Sequence, residues 1–479
     1  MKKLYIIISS FLLALTANAQ DTMFVHQTDG DVVSFLTEDI DSITFVNDPT
    51  DGIPVFDPAD VAGGMFALTN GHNPRIQVNA AADAENLGLV NYVVAYKRLN
   101  DGTLIEVGAF PTGGLGENIR NSGANPLASQ DALILSEDNS MLFAVNPGSE
   151  TVSSFTIDPA TFALTLVSQV STLGQSGGQN PVSLTVRNNV LYVANTGIFV
   201  DGNQTVPAVR NRINSSIIGF TIGADGSLTE LPGSEYAGDN IAANAGSIEF
   251  NAAGNALYIT ERRTNQILKV GVNPDGTLLL DPTTDRAMVA RLTSSTDQPF
   301  GTDIINVDNA EVLLVSQGNN GVAGLSALSS YTVDNTTGGT ITPVSQSAGT
   351  DGDPLVTGFT FGCWVEAING PGGVAYAYVA NTPDGTLTGY SVDDTGALTR
   401  LDDAGVATGD VGGAGVLDTE IVWPFVYQVV SVGDDADDTN NSRVAVFELS
   451  PDGSLTRRAD LDQENPAFQP RMFAGIAGF

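Results

Sequence analysis

The chain has 479 residues, of which 42% are hydrophobic and 52 are glycine, so it is long enough for one large core or two domains. Its 19 basic and 55 acidic residues give a formal net charge of −36, and such a surface repels nucleic acid and anionic membranes. We therefore expect neither a nucleic-acid partner nor insertion into a membrane. The single cysteine, Cys363, excludes an intramolecular disulfide and a multi-cysteine metal site, and we expect a buried, inert thiol.

The chain begins with the features of a secretory signal peptide. Lys2 and Lys3 precede an apolar run from Leu4 to Leu15, and small residues follow up to Ala19. The run is too short to span a bilayer, and the small residues favour cleavage after Ala19. We therefore predict that residues 1–19 are removed and that the protein is exported, to the periplasm or beyond the cell.

The next segment does not share the pattern of the rest of the chain. From Asp21 it reads DTMFVHQTDGDVVSFLTEDIDSITF, which indicates two or three short strands around an Asp-Gly turn. It resembles a leader segment of exported Bacteroidetes proteins, in which a dG…f…IdSI.F pattern follows the signal peptide. We predict a short β-hairpin leader and linker over residues 20–60, and a main domain over residues 61–479.

A turn motif recurs seven times in that main domain. It reads D/T-G-x-L or a close variant, and its last residues, 104, 164, 228, 278, 341, 398 and 455, lie 50 to 64 residues apart. Asp-Gly suits a tight hairpin turn, because glycine tolerates positive φ. The strand patterns around each turn give four antiparallel strands per unit. Seven such units without helical patterns predict an all-β, seven-bladed β-propeller, since each sheet buries its faces only against its neighbours. A two-domain β-sandwich is the alternative, but it does not explain one strand order repeated seven times.

The two ends of the main domain are complementary. The first unit lacks an innermost strand, whereas the chain ends in an apolar stretch, RMFAGIAGF at 471–479, that starts no further unit. We predict that this stretch completes the first blade and closes the ring.

Three stretches of the blades carry a resemblance to a known family: LYVANTG at 191–197, YAYVANT at 376–382 and ILKVGVNPDGTL at 267–278. They are similar to the blades of the lactonase-type seven-bladed propellers, which include 6-phosphogluconolactonase and the cycloisomerase that acts on carboxymuconate. The resemblance covers roughly residues 61–479. These motifs specify blades, so they indicate the fold more strongly than the activity.

The chain departs from this family at the residues that carry its chemistry. Active members have His-x-His entering one middle blade, Pro-Arg-His entering the next, and Asn-Glu-Leu after that blade's second strand. The matching stretches here read GQNPVSLTV (178–186), NAGSIEF (244–250) and TERRTN (260–265), so only Glu261 matches. The resemblance implies a lactone hydrolase or cycloisomerase for an anionic sugar or organic-acid lactone. The incomplete set favours a ligand-binding propeller instead, because the reaction needs a general acid or base and cations for the oxyanion.

Ligand sites of propellers collect on the face where the second strands end and the next blades begin, and the candidate residues fall on that face. The catalytic candidates are Glu261, Arg262, Arg263 and His72, and the ligand-binding candidates are Arg75, Arg120, Arg210 and Arg212. Four residues where blades begin are further candidates: Asn180, Asn244, Asp418 and Glu420. Clustered arginines bind carboxylate or phosphate, so they predict an anionic ligand. Structural ion pairs on an acidic surface are the alternative, and a lone loop histidine is more often plain surface than a general base.

One acidic loop is a candidate calcium site. GDDADDTNNSR at 433–443 places oxygen ligands at Asp435, Asp437, Thr439 and Asn441. It lacks the loop glycine and terminal glutamate of an EF-hand, and acidic loops are common at this composition. Calcium is therefore an open alternative to having no cofactor. We expect a monomer whose ligand is a small molecule or a glycan.

Overall fold

The computed structural model divides the chain into two compact units, Met1–Asp60 and Val61–Phe479. In the first unit it describes the backbones of four strands, Lys2–Ile7, Thr22–His26, Val32–Leu36 and Ile40–Val46. The second and third of these pair antiparallel, and the first and fourth pair parallel. Beyond them the structure describes residues 60–70, 90–116, 127, 129–197, 214–238, 243–281, 286–287, 289–293, 298–308, 310–336, 341–412, 415–430, 442–464 and 472–479.

The second unit is a seven-bladed β-propeller of four-stranded antiparallel blades, as the repeat predicts. We number the blades along the chain from Val61. The innermost strands of blades one to seven are Met472–Gly478, Leu133–Leu135, Pro181–Arg187, Ala245–Phe250, Pro299–Val307, Gly362–Asn369 and Val416–Val422. The second strands are Val61–Asn70, Met141–Asn146, Val190–Asn195, Ala256–Glu261, Ala310–Gln317, Ala375–Asn381 and Phe425–Val430.

The third and fourth strands complete each blade toward its outer edge. The third strands are Val90–Leu99, Thr151–Ile157, Ser216–Ile222, Gln266–Gly271, Ala327–Val333, Thr386–Val392 and Arg443–Leu449. The fourth strands are Leu104–Leu115, Leu164–Ser171, Leu228–Glu230, Val289–Thr293, Ile341–Ser345, Leu398–Arg400 and Leu455–Arg457. In blades three, six and seven a two-residue strand extends the outer edge: Tyr236–Ala237, Gly409–Asp410 and Gln463–Glu464.

The C-terminal strand closes the ring, which confirms the prediction for the apolar tail. Met472–Gly478 pairs antiparallel with Val61–Asn70, the second strand of blade one. Blade one is therefore built from both ends of the propeller chain, and opening the ring requires breaking this strand pair.

The Asp-Gly turns hold neighbouring blades together as well as reversing the chain. Gly276 has a φ of +84°, and its carbonyl accepts a hydrogen bond from the hydroxyl of Tyr192 in the preceding blade at 2.7 Å. The hydroxyl of Tyr378 donates in the same way to Gly453 O at 2.7 Å. The repeated tyrosine of the second strand and the repeated turn glycine thus form one inter-blade contact.

Blade four differs from the expected strand order after its turn. A strand is predicted directly after the turn that ends at Leu278. The structure places a short ribbon there, Leu280–Asp281 paired with Arg286–Ala287, and the outer strand follows only at Val289–Thr293. The alternating pattern therefore predicts that an outer strand exists, but not where it starts.

The hydrophobic core lies between successive blades. Its largest cluster includes Trp364 of blade six, Tyr427 of blade seven and Met65 of blade one, all fully or almost fully buried. Burial of such side chains stabilises the ring by roughly 25 cal/mol per Å² of apolar surface. Within the described residues, no helix has the length and apolar character needed to cross a bilayer.

Candidate functional site

The central channel has two ends, which the strand directions define. Inner strands begin and second strands end at one end, which we call the Glu261 end. The hairpins between the first and second strands turn at the other, which we call the hairpin end. The two ends differ in how their charged residues are held.

Glu261 is the last residue of the second strand of blade four and is buried, with 1% of its surface exposed. Its Oε2 accepts a hydrogen bond from the hydroxyl of Thr264 at 2.6 Å. Its Oε1 lies beside blade three, 3.9 Å from where a Cβ on Gly238 would stand. The carboxylate is thus directed toward the neighbouring blade and fastened to its own loop.

Arg262 lies on a different neighbour. Its guanidinium carbon is 5.1 Å from the ring centroid of Phe300 in blade five, and that ring lies 5.0 Å from the ring of Trp364. The backbone N–H of Arg262 donates to Asn244 O at 3.1 Å. Arg263, one residue on, is exposed. Glu261 and Arg262 therefore diverge, one toward blade three and the other toward blade five.

Cys363 lies near this end and is buried, as predicted. Burial raises the pKa of its thiol to about 12, and the opposing effect of Arg262 is smaller. The sulfur is therefore protonated at neutral pH and is not a nucleophile.

Asn180 and Asn244, where blades three and four begin, are buried. Nine other candidate residues lie outside the described residues. These are His72, Arg75, Arg120, Arg210 and Arg212, together with the candidate calcium ligands Asp435, Asp437, Thr439 and Asn441. Their roles stay predictions. Among the residues the structure does describe, no group of three or more histidine, cysteine, aspartate or glutamate side chains is arranged to hold a metal ion.

Gln130, just before the inner strand of blade two, crosses the channel. Its backbone N–H donates to Gly246 O of blade four at 3.1 Å. Its Nε2 donates to Thr302 O of blade five at 2.8 Å and to Val365 O of blade six at 2.7 Å. Its Oε1 accepts from the N–H of Val365 at 3.0 Å. The backbone and side chain of Gln130 together bond the inner strands of three blades, so this residue lies across the channel at this level.

A cavity of about 300 Å³ lies beside Gln130, toward the hairpin end. Leu133 to Leu135 of blade two line it on one side, and the inner strands of blades four to seven and the C-terminal strand line the rest. We call this cavity the chamber. Its lining includes six carboxylate side chains: Asp131, Glu137, Glu249, Asp303, Glu366 and Glu420. None of its described lining residues is lysine or arginine.

Four of these carboxylates occupy one position of the repeat. In blades four to seven, strand register places each of them opposite the equivalent position of the second strand. The pairs are Glu249 with Tyr258, Asp303 with Leu314, Glu366 with Tyr378, and Glu420 with Tyr427. In blade three the position holds Thr185, opposite Tyr192. Four consecutive blades therefore form an arc of acids around the channel, and Asp131 adds a fifth from blade two.

Hydrogen bonds to the next blade fix several of the acids. Asp303 Oδ2 accepts from the N–H of Ala367 at 2.7 Å. Glu420 Oε2 accepts from the N–H of Gly478 at 3.0 Å, and the nearby Asp418 Oδ2 accepts from the N–H of Ile476 at 3.3 Å. These bonds hold the carboxylates on rigid strands, so they cannot move apart to reduce their repulsion.

Burial raises the pKa values of the four acids of the arc, of Asp131 and of Asp418, because a carboxylate loses hydration when it leaves bulk water. The pKa of Asp303 is raised to about 6, and the pKa values of Asp418 and Glu420 to about 8. Burial, together with neighbouring acids, also raises the pKa values of Asp131, Glu249 and Glu366 well above their usual range. The chamber therefore exchanges protons near neutral pH.

Reasoning from the sequence named Glu420 and Asp418, but on the face at the Glu261 end, whereas Glu420 lines the chamber toward the hairpin end. It missed the rest of the group. The signal lies in the blade-opening strands, where GSIEF, GTDII, WVEAI and DTEIV carry an acid at the same place. Aligning those strands by their second-strand partners recovers the arc. No such pattern identifies Asp131, because this residue precedes the inner strand of blade two.

Comparisons with known proteins agree with the fold. A candidate 6-phosphogluconolactonase from Bacteroides fragilis has a TM-score of 0.54 and 17% identity, covering 88% of this chain and 99% of that one. A periplasmic gluconolactonase from Pseudomonas aeruginosa has a TM-score of 0.53 and 15% identity, covering 86% and 97%. A hypothetical selenium-binding protein from Sulfolobus tokodaii has a TM-score of 0.53 and 9% identity, covering 88% and 97%.

No protein-family model and no curated protein matches the sequence. At these identities the structural similarity shows the fold alone. The resemblance to lactonase-type propellers is confirmed at that level, and the range of functions among the similar proteins leaves activity to be argued from the site.

Proposed function

We propose that this protein is an exported, monomeric β-propeller that binds a small polar ligand in the chamber. The chamber itself supports this proposal: a cavity of about 300 Å³, closed on one side by Gln130 and lined by acids on the inner strands of four blades. Its volume is at the lower end of the range for small-molecule sites, and its polar groups converge on one space.

The geometry at Glu261 argues against the lactonase mechanism of the resemblance. Glu261 faces blade three, while the adjacent Arg262 lies over Phe300, so this arginine is not directed at the carboxylate where it would stabilise an oxyanion. The stretches that carry histidine and arginine in active members carry neither here.

Hydrolysis of a lactone inside the chamber is the second candidate. The pKa of Asp303, raised to about 6, suits a general base that takes a proton from water near neutral pH. A periplasmic gluconolactonase has the same fold, so lactones are the substrates to test first. The lining offers no lysine or arginine for the oxyanion, and for this reason we place binding first.

Two assays separate these functions. In the first, gluconolactone and aryl lactones are incubated with the wild type, Glu261→Ala and Asp303→Asn. We expect no turnover above the rate in buffer. Turnover lost in Glu261→Ala would establish the site of the resemblance, and turnover lost in Asp303→Asn would establish hydrolysis in the chamber.

The second assay tests binding in the chamber. Melting temperatures are measured with neutral sugars, sugar acids and amines for the wild type, for Ile134→Trp, and for Leu280→Trp. Ile134 lines the chamber, so its replacement fills it, whereas Leu280 is 45% exposed and serves as the matched control. We expect at least one compound to stabilise the wild type and Leu280→Trp but not Ile134→Trp. If no compound gives this pattern, the binding proposal fails.

Export rests on the predicted signal peptide. N-terminal sequencing of protein recovered outside the cytoplasm should start at Gln20, directly after the predicted cleavage site. Protein that retains Met1 and stays in the cytoplasm would contradict it.

A further inference from the structure

The charge of the chamber is unbalanced. Its lining has six carboxylates and, among the described residues, no lysine or arginine. At the partly exposed rim, Arg187 pairs at 3.1 Å with Glu137. The remaining acids face one another: Asp303 and Glu420 both act on Glu366 as like charges. Like charges held on rigid strands around one cavity repel each other, because the strands keep them from moving apart.

One oxygen in the chamber is left without a partner. Asp131 Oδ2 is buried, and within the structure it has no hydrogen-bond partner. Asp131 lines the chamber, and its neighbours in charge are Glu249, Asp303, Asp418 and Glu420. A buried carboxylate oxygen in this position requires a donor, and each of these neighbours is an acid. The missing donor is a proton, a water molecule or a ligand with N–H or O–H groups, and of these a positively charged ligand also offsets the charge of the neighbouring acids.

We propose that the chamber binds a small organic cation that carries two or more ammonium groups, with Asp131 and Glu366 among its partners. This inference rests on the function proposed above and names the ligand class. An ammonium group supplies three N–H donors to acids that lack them, and it removes the repulsion between them.

An organic cation fits the chamber better than a metal ion. No group of three or more acids among the described residues is arranged to hold a metal. A volume of about 300 Å³ is roughly ten times the ~30 Å³ share of one water molecule in the liquid, so it accommodates a molecule of several heavy atoms.

The need for two ammonium groups follows from where the acids stand. Glu249, Asp303, Glu366 and Glu420 belong to blades four to seven, while Asp131 comes from blade two, and Gln130 spans between these sides. A single ammonium reaches only part of this set. A diamine places one charge at each side and its alkyl chain between them.

The first test compares matched ligands. Isothermal titration calorimetry in physiological salt at about pH 8 measures putrescine, spermidine, butylamine, calcium, magnesium, gluconate and glucose. Putrescine and butylamine have the same carbon chain but two charges and one. We expect one putrescine per chain, bound at least about tenfold more tightly than butylamine.

The second test locates the site. Asp131→Asn and Glu366→Gln should each weaken putrescine at least about tenfold, and Glu230→Gln, which removes a charge from the exposed outer strand of blade three, should not. Asparagine tolerates the left-handed backbone of Asp131, where φ is 58°. Equal binding by all variants would mean attraction to the acidic surface only, and would overturn the inference.

A third measurement needs no variant. Because acids that face Asp131 and Glu366 share protons, binding of a cation must release protons near pH 7. Heats measured in buffers of different ionisation enthalpy report that release. The acids with raised pKa values are Asp131, Glu249, Asp303, Glu366, Asp418 and Glu420, and the ion pair of Glu137 with Arg187 lies at the rim. No release of protons would overturn the inference.

The outcomes also separate this inference from the proposed function. Binding of gluconate or glucose that Ile134→Trp abolishes, without binding of amines, keeps the ligand chamber and rejects the cation. Tight binding of calcium or magnesium in place of putrescine, lost in Glu366→Gln, rejects the organic cation in favour of a metal. Loss of all chamber-dependent binding rejects both proposals.

Discussion

The two ends of the channel hold charge in opposite ways. At the Glu261 end, the charged side chains make contacts within the fold. Glu261 accepts a hydrogen bond from the hydroxyl of Thr264, and Arg262 covers the ring of Phe300. At the hairpin end, acids on rigid strands face a cavity and one another, and Asp131 Oδ2 has no partner. The comparison teaches that a charged residue at a loop marks a ligand site only if its neighbours leave it unsatisfied.

The largest expected effect concerns the residue that separates the two ends. Gln130→Leu removes three side-chain hydrogen bonds, leaving Thr302 O and Val365 N–H and C=O without that partner. We expect the free energy of unfolding to fall by on the order of 4 kcal/mol, since buried groups left unsatisfied cost about 1–3 kcal/mol each. Urea unfolding measures this. Gln169→Leu, at an exposed glutamine of blade two, is the control and should change the free energy of unfolding little. Equal losses of stability in the two variants would show that the bonds of Gln130 do not stabilise the contacts between blades.

The next effect is a pH dependence that arises only at the hairpin end. The folded pKa of Asp303 is about 6 and those of Asp418 and Glu420 about 8, above their ordinary values. These acids therefore favour folding fully at low pH, and this contribution is lost as pH rises from about 4 through 8. We expect the ligand-free protein to lose roughly 3 kcal/mol from Asp303 alone as pH rises from about 4 to 6, at about 1.4 kcal/mol per unit of pKa shift, and to lose more as Asp418 and Glu420 ionise.

A variant in the chamber sharpens this prediction. Glu366→Gln removes one member of the cluster, so it should flatten the dependence and stabilise the ligand-free protein near pH 8 by about 1–2 kcal/mol. Urea midpoints across the pH range measure it, with Glu230→Gln as the matched loss of charge on the surface. A variant less stable than the wild type near pH 8 would contradict the proposed repulsion.

A smaller effect is expected at the Glu261 end. Arg262→Met removes the contact with Phe300 and should lower the free energy of unfolding by about 1–2 kcal/mol, while ligand binding in the chamber stays unchanged. The exposed neighbour Arg263, changed to methionine, should have less effect. Loss of chamber binding in Arg262→Met would show that the two ends are coupled, contrary to the comparison.

The smallest effect concerns the rim of the chamber. Arg187 and Glu137 form an ion pair at 3.1 Å, but their side chains are 38% and 44% exposed. Glu137→Gln should therefore change the free energy of unfolding by less than about 1 kcal/mol, and less still in high salt. Thermal unfolding at two salt concentrations checks this, and a loss similar to that of Gln130→Leu would mean that the rim supports the fold.

The sequence by itself determined the propeller. The repeated turn ending at Leu278 and its six counterparts predict hairpins, because glycine tolerates the positive φ that Gly276 adopts at +84°. The alternating strands fix which residues face the neighbouring blade. The apolar C-terminal tail pairs with the first blade, because that unit lacks an innermost strand. The fold therefore follows from local patterns that repeat. The start of the outer strand of blade four does not, since a ribbon is inserted there.

Only the tertiary structure decided the candidate site. The direction of Glu261 depends on the packing of blade three beside it, and no spacing in the sequence encodes that. The acids of the arc lie 54 to 63 residues apart along the chain and meet only because the ring closes. Asp131 joins them because Gln130 is bonded across the channel to blades four, five and six. Local patterns specify the blades. A site at the axis depends on contacts between blades, and these contacts form only when the ring closes.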